Sequence, residues 1–194
     1  MVEQFSKIIK LEDLSKGLVE LKVSVRKEGE ERNFKIVNNL TGLFLRSKPS
    51  KMLEIARVLN NLLPEPSDGE LILGFLAGGV IPAFSLASVR DAQFAIASQK
   101  KVGDYQKAIT FEQPNKKDST FYVYDCDNVK SAILIDDEAS TGDSLINAAS
   151  ALRKAGIRVG VICVVTETVN FGAREKIKEA LDIDLISLVR IKLE

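Results

Sequence analysis

The chain has 194 residues, 45% hydrophobic and 28% charged, with Lys plus Arg equal to Asp plus Glu at 27 each. That length predicts one domain whose core needs no staples, and these ordinary proportions exclude a fibrous or disordered chain. Charge neutrality excludes a global field for nucleic acid or membrane, and the complete absence of histidine excludes Ser-His-Asp and Cys-His catalysis and the usual zinc sites.

In chain order, Met1 to Lys7 lacks the apolar core of a secretion signal, and no apolar run reaches the roughly 20 residues of a membrane span. Cys126 and Cys163 stand alone, with neither metal spacing nor a disulfide framework, so a cytoplasmic protein is expected, without membrane or nucleic-acid partners. Phe5, Ile8, Ile9 and Leu14 predict a first helix stopped at Gly17. From Leu18 to Arg26 apolar and polar residues alternate, Lys27 to Glu31 makes a charged turn, and Phe34 to Val37 returns apolar. This is an antiparallel hairpin, read either as a plain sheet edge or as a hood over a substrate.

Pro49 opens a helix whose apolar positions, Met52, Ile55, Ala56, Leu59, Leu62 and Leu63, recur at helical spacing until Pro64 and Pro66 stop it. Glu70 to Phe75 reads as a buried strand, Leu76 to Val80 as a loop of mostly small residues, and Ile81 to Val89 as a helix with Pro82 in its first turn. The adjacent Gly78 and Gly79 let backbone N–H groups approach a ligand unobstructed, or serve merely as a tight turn. Phe94 to Ala97 is a short strand, and the polar stretch Ser98 to Lys117 has no period, as in a lid or disordered segment, or else a solvated loop or hairpin. Phe121 to Tyr124 is a further strand.

Ser131 to Ser144 is the most informative stretch. An apolar run, Ala132 to Ile135, gives way to Asp136 and Asp137, then to small residues from Ala139 to Gly142, then to an amphipathic helix from Leu145 to Lys154 ended by Gly156. A loop feeding a helix N-terminus presents unpaired N–H groups, which suit a phosphate, while the carboxylates suit hydroxyls. Val159 to Val165, a helix over Ala173 to Leu181 and a strand over Leu185 to Ile191 complete an alternation that predicts an α/β fold with a parallel sheet. Both loops of interest then fall at carboxyl ends of strands, where such sheets bind ligands. A receiver domain also carries an acidic pair after a strand, but near its start, whereas only 57 residues follow Asp137. Neither a Walker P-loop nor a Rossmann glycine fingerprint is present.

The run Ala132-Ile-Leu-Ile-Asp136-Asp137-Glu138-Ala139-Ser140-Thr141-Gly142-Asp143-Ser144 resembles the phosphoribosyl-pyrophosphate (PRPP) motif of type I phosphoribosyltransferases. The resemblance spans roughly Leu71 to Val165. It implies a doubly wound, mainly parallel sheet with a small N-terminal hairpin or hood. This would be a single domain over 1–194, with helix and hairpin in 1–48 and the α/β core in 49–194. It further implies that Asp136 and Asp137 take the ribose hydroxyls and, through PRPP, a Mg²⁺ ion. Ala139, Ser140, Thr141, Gly142, Asp143 and Ser144 would hold the 5′-phosphate. Leu76, Ala77, Gly78 and Gly79 match the pyrophosphate loop, which often contains a non-proline cis peptide. Lys100 and Lys101 match a mobile lid and would act with the two aspartates in catalysis; Lys100-x-x-Gly103 is similar to orotate-type lids, although Ile96 and Ala97 replace their usual Arg-Lys pair. Hypoxanthine-guanine types usually carry aspartate where Ser140 stands. The expected function is therefore Mg²⁺-dependent transfer of 5-phosphoribose from PRPP to orotate or a related heterocycle, releasing pyrophosphate, by a homodimer. The alternative is a PRPP-sensing regulator without transferase activity.

Overall fold

Strands with near-continuous apolar runs are stable only where both sheet faces are covered, and helices cover both faces here. The computed structural model describes residues 8–10, 21–25, 34–38, 40–42, 46–103, 107–113 and 119–192. In chain order the elements are β1 (Ile8–Lys10), β2 (Leu21–Val25), β3 (Phe34–Asn38), α1 (Pro49–Asn60), β4 (Glu70–Phe75), α2 (Val80–Arg90) and β5 (Gln93–Ala97). Then follow β6 (Ile109–Glu112), β7 (Thr120–Val123), β8 (Ser131–Ala139), α3 (Asp143–Lys154), β9 (Arg158–Thr168), a 3₁₀ turn (Val169–Phe171), α4 (Ala173–Leu181) and β10 (Leu185–Lys192).

The central sheet has the order β1-β10-β9-β8-β4-β5, and every neighbouring pair in it is parallel. From β4 the chain moves outward to β5; it then returns to the other side of β4 as β8 and proceeds through β9 to β10. The winding therefore reverses between β4 and β8, which is where an open α/β sheet binds ligands. Side chains alternate across the sheet. Leu71, Leu73, Ala132, Leu134, Ile162 and Val164 join Leu145, Ala148, Leu152 and Ile177 of α3 and α4 in one core. Ile72, Ile133, Ile135, Cys163 and Val165 join Met52, Ile55, Leu59, Ala83 and Leu86 of α1 and α2 in the other. Arg90 ties the second layer together, giving Nε–H to Glu70 at 2.9 Å, Nη1–H to Asn60 at 2.8 Å and Nη2–H to the Pro64 carbonyl at 3.0 Å.

Two expectations need correction. Ile8 and Ile9 lie in strand β1 rather than a helix: two adjacent β-branched residues pair in parallel with the otherwise open edge of β10, Ile8 opposite Arg190. The rest of that predicted helix, with Phe5, Leu14 and Gly17, lies outside the described residues, as does the turn at 27–31. The hairpin forms its own two-stranded sheet, Leu21 opposite Asn38 and Val25 opposite Phe34, and so is not an edge of the main one. The stretch without a period contains strand β6, antiparallel to β7, in keeping with its reading as a hairpin. Phe111 of β6 stacks on Phe121 at 5.4 Å and meets Phe75 edge-on at 5.9 Å, so a few aromatics fix a segment whose polarity hides them. Residues 104–106 and 114–117 of that stretch lie outside the described residues.

Candidate functional site

The two loops at the winding reversal are packed into one another. Gly79 follows β4 so closely that a Cβ there would overlap the Phe75 backbone nitrogen and come within 2.9 Å of the Ile135 carbonyl. A Cβ on Gly78 would overlap the Asp137 carboxylate. Only glycines let this loop touch the acidic end of β8. The Leu76–Ala77 peptide between strand and glycines is cis, at the place where a non-proline cis peptide was expected. Leu76 and Ala77 are exposed, and the Leu76 N–H donates to the Ala97 carbonyl at 2.9 Å, joining this loop to the root of the lysine segment.

Asp136 and Asp137 stand half-buried just past the point where β8 stops pairing with β4, while it still pairs with β9 as far as Ala139. The Asp137 N–H donates to Asp136 Oδ1 at 2.9 Å, and Asn38 Nδ2 donates to Asp137 Oδ2 at 3.1 Å. Loss of water around the Asp136 carboxyl, reinforced by the charge of Asp137, holds its pKa well above the usual carboxylate range. Ionised Asp136 is thus a cost to the empty fold. The stability its protonation supplies is full below the ordinary value of 3.8 and is lost as pH rises through the raised folded value. Asp136→Asn, which mimics the protonated form, melts above wild type at neutral pH, and the gap closes as pH falls through that window. Thermal melts at several pH values check this; a gap independent of pH contradicts it.

Past the acids, Ala139 is buried and Ser140 to Ser144 turn into α3. The helix begins on Gly142, whose φ of 76° is the left-handed region that glycine enters without strain, and no side chain caps it. Its first N–H groups are therefore uncapped by side chains, at the positive end of the dipole, and Thr141, Asp143 and Ser144 are half-buried around them. Lys176 of α4 stands 3.5 Å from Asp143 and offsets its charge. The helix α2 likewise starts on Gly79 without a side-chain cap, packed against Ile135 and Asp136, and the Gly79 N–H is taken by the Phe75 carbonyl at 2.8 Å.

The structure thus brings together Leu76 to Gly79, Asp136, Asp137 and Ala139 to Ser144. Lys100 and Lys101 sit on a different neighbour. Tyr124 Oη accepts the Val102 N–H at 2.8 Å and donates to the Lys100 carbonyl at 3.2 Å. Lys101 Nζ lies 5.9 Å above the Tyr122 ring, and Tyr122 stacks on Tyr124 at 6.2 Å. The two tyrosines alternate with Val123 along one strand end, and that spacing could have marked them as a shared face.

Sequence reasoning also missed Asn38, which reaches the site across 99 residues of chain with no local signal. It missed a buried cluster beside the phosphate-type loop as well. Glu167, opposite Ala139 in the register, is 2% exposed and accepts from Arg174, from Ser187 at 2.7 Å and from Arg190 at 3.2 Å. Thr168 Oγ1 donates to Glu138 Oε1 at 3.1 Å. Among the described residues no group of three or more acidic, cysteine or histidine side chains forms a metal cage.

A family model described as phosphoribosyl transferase matches residues 21–192. Two curated relatives are named hypoxanthine/guanine phosphoribosyltransferase. That of Methanocaldococcus infernus is 27% identical over 172 residues, covering 85% of this chain and 92% of the relative. That of Methanothermobacter marburgensis is 26% identical over 179 residues, covering 89% and 91%. Among solved structures, the adenine phosphoribosyltransferase of Thermoanaerobacter pseudethanolicus superposes with a TM-score of 0.68 at 18% identity, covering 89% of this chain and 95% of the other. The Giardia lamblia enzyme complexed with 9-deazaadenine gives 0.65 at 20% identity, covering 88% and 93%. These structures share the fold.

Proposed function

The chain belongs to the phosphoribosyl transferase family, and from that premise we propose that it transfers 5-phosphoribose from PRPP to a purine base with release of pyrophosphate. The observation that carries this reading is the acid pair Asp136–Asp137 at the reversal point of the sheet, with Gly78 packed against it and the loop into the start of α3, uncapped by side chains, following it in the chain. Two carboxylates accept from the ribose hydroxyls. The N–H groups at the start of α3, with the Ser140, Thr141 and Ser144 hydroxyls, receive the 5′-phosphate. Gly78 brings its backbone N–H against the pyrophosphate, while the Gly79 N–H is held by the Phe75 carbonyl at 2.8 Å.

Displacement at the anomeric carbon builds an oxocarbenium-like centre and a departing polyanion, so no protein nucleophile is required and a chain without histidine suffices. The negative pair Asp136–Asp137 lies beside that developing positive charge. Lys100 and Lys101 are proposed to close over the departing pyrophosphate and exclude water, which requires Lys101 to leave the Tyr122 ring. The donor set fits Mg²⁺ carried in by PRPP, since one or two carboxylates plus substrate phosphates is how this ion is usually held. When bound, Mg²⁺ neutralises pyrophosphate charge as a Lewis acid.

Purine as the base class rests on the names of the two curated relatives. Ser140 differs from the aspartate usual in hypoxanthine-guanine types, so N7 recognition, if the base is hypoxanthine or guanine, falls to another group. The expected orotate specificity has support only from Lys100-x-x-Gly103. A homodimer is proposed with the exposed Phe84–Phe94 pair, in edge contact at 5.7 Å on α2 and the edge strand β5, as its apolar face. No described helix is long and apolar enough to cross a membrane; a cytoplasmic site is proposed because both thiols are free.

The test is pyrophosphate release from PRPP and Mg²⁺ with hypoxanthine, guanine, adenine and orotate in parallel. Release with a purine is expected. Release with orotate alone overturns the base class, and tight PRPP binding without release from any base establishes the regulator instead.

A further inference from the structure

Asn38 ends strand β3 in the small hairpin sheet, yet it is 3% exposed and touches the acid pair of the main sheet. Its amide is fully specified. Oδ1 accepts the Leu40 N–H at 3.0 Å, and Leu40 is itself 1% exposed in the core against α1 and α2. Flipping the amide would strand that buried N–H, so Nδ2 is held as a donor aimed at Asp137 Oδ2. On the other side Gly78 leaves no space between its backbone and the Asp137 carboxylate. The carboxylate is therefore clamped between the pyrophosphate-type loop and the hairpin, and its Oδ2 is held by a donor that cannot turn away.

We propose that Asn38 is a positioning residue for PRPP: it fixes the Asp137 carboxylate for the ribose hydroxyls and so ties the N-terminal hairpin to ribose binding. This rests on the reading of Asp136–Asp137 as the ribose site. Asparagine is suited to the place because one side chain must both accept from Leu40 and donate to a carboxylate. Aspartate keeps the first function and reverses the second.

The experiment compares wild type, Asn38→Asp, Asn38→Ser and Asp137→Asn by thermal melting, by titration with PRPP and Mg²⁺, and by steady-state kinetics with the accepted base. Asn38→Asp keeps an acceptor for Leu40 but sets a third carboxylate against the pair, so it melts below wild type at neutral pH, and its PRPP dissociation constant rises at least about tenfold, the scale of one charge-assisted hydrogen bond. KM for PRPP rises with it, and kcat at saturating PRPP changes less. Should Asn38→Asp fold poorly, the uncharged Asn38→Ser carries the same test, with weaker PRPP binding expected. Lower melting and lower kcat at unchanged PRPP affinity is the signature of a merely structural residue and overturns the proposal. The Asp137→Asn control separates two failures. If it binds PRPP as wild type does, the ribose-site reading falls and the role of Asn38 with it. If it binds poorly while both Asn38 variants bind normally, only the role of Asn38 falls.

Discussion

Asp137→Asn removes PRPP binding while leaving the fold in place. The substituted amide has the same shape, and by turning its oxygen toward Asn38 Nδ2 it keeps the 3.1 Å contact and the packing against Gly78. What disappears is the charge that two ribose hydroxyls would donate to. At about 1.5–3 kcal/mol for each hydrogen bond to a charged group, affinity falls by at least about a hundredfold. Removing one of two adjacent carboxylates also relieves Asp136, so the empty variant melts at or above wild type. Titration calorimetry beside a thermal melt reads both effects; unchanged affinity, or a collapse of melting that accompanies the loss, contradicts this account.

The second large effect concerns stability. Arg174→Met leaves the Glu167 carboxylate, on a side chain 2% exposed, with only Ser187 and Arg190 to face it. Breaking a buried pair from one side costs about 3–5 kcal/mol, and the surviving Arg190 contact puts the expected loss near the lower figure. Burial pushes the Glu167 carboxyl up, but hydrogen bonds from Arg174 and Ser187 and the charges of Arg174 and Arg190 outweigh it and hold it below its ordinary 4.5. Its sign is that of a depressed acid. The stability is present above 4.5 and is lost as pH falls through the lower folded value. The deficit of Arg174→Met is therefore largest near neutral pH and shrinks below 4.5, where a protonated Glu167 needs no guanidinium. Urea unfolding of both proteins across that range checks it, and a deficit that does not vary with pH contradicts it. Because Glu167 pairs in register with Ala139, PRPP affinity should weaken along with the fold.

The parts legible in the sequence were those with local chemistry. The apolar runs at 71–75, 132–135 and 159–165 announced buried parallel strands, and the acids and small residues after Ile135 announced the turn into a helix, although β8 runs on through the acids to Ala139 beside β9. What was not legible depends on contacts between distant segments. Ile8 and Ile9 have a helical neighbourhood in sequence and become strand because β10 offers them an open edge. Phe111 looks isolated in a polar stretch until Phe75 and Phe121 close on it. Asn38, Glu167 and Arg174 carry no motif; each is an ordinary polar residue until the fold buries it against its partner. The lysine segment is an intermediate case. Its position after β5 was readable, but its docking on Tyr122 and Tyr124 depends on the β6–β7 hairpin, whose first strand the polar composition concealed.

The most direct test of the central claim is a crystal structure of the protein grown with PRPP and Mg²⁺. The account predicts ribose hydroxyls on Asp136 and Asp137, the 5′-phosphate within Ala139 to Ser144 at the start of α3, and pyrophosphate against Gly78 and Gly79. Density for PRPP elsewhere, such as the groove between β6 and α3 lined by Ile109, Glu112, Asn147 and Lys154, with the acid pair left bare, would contradict it.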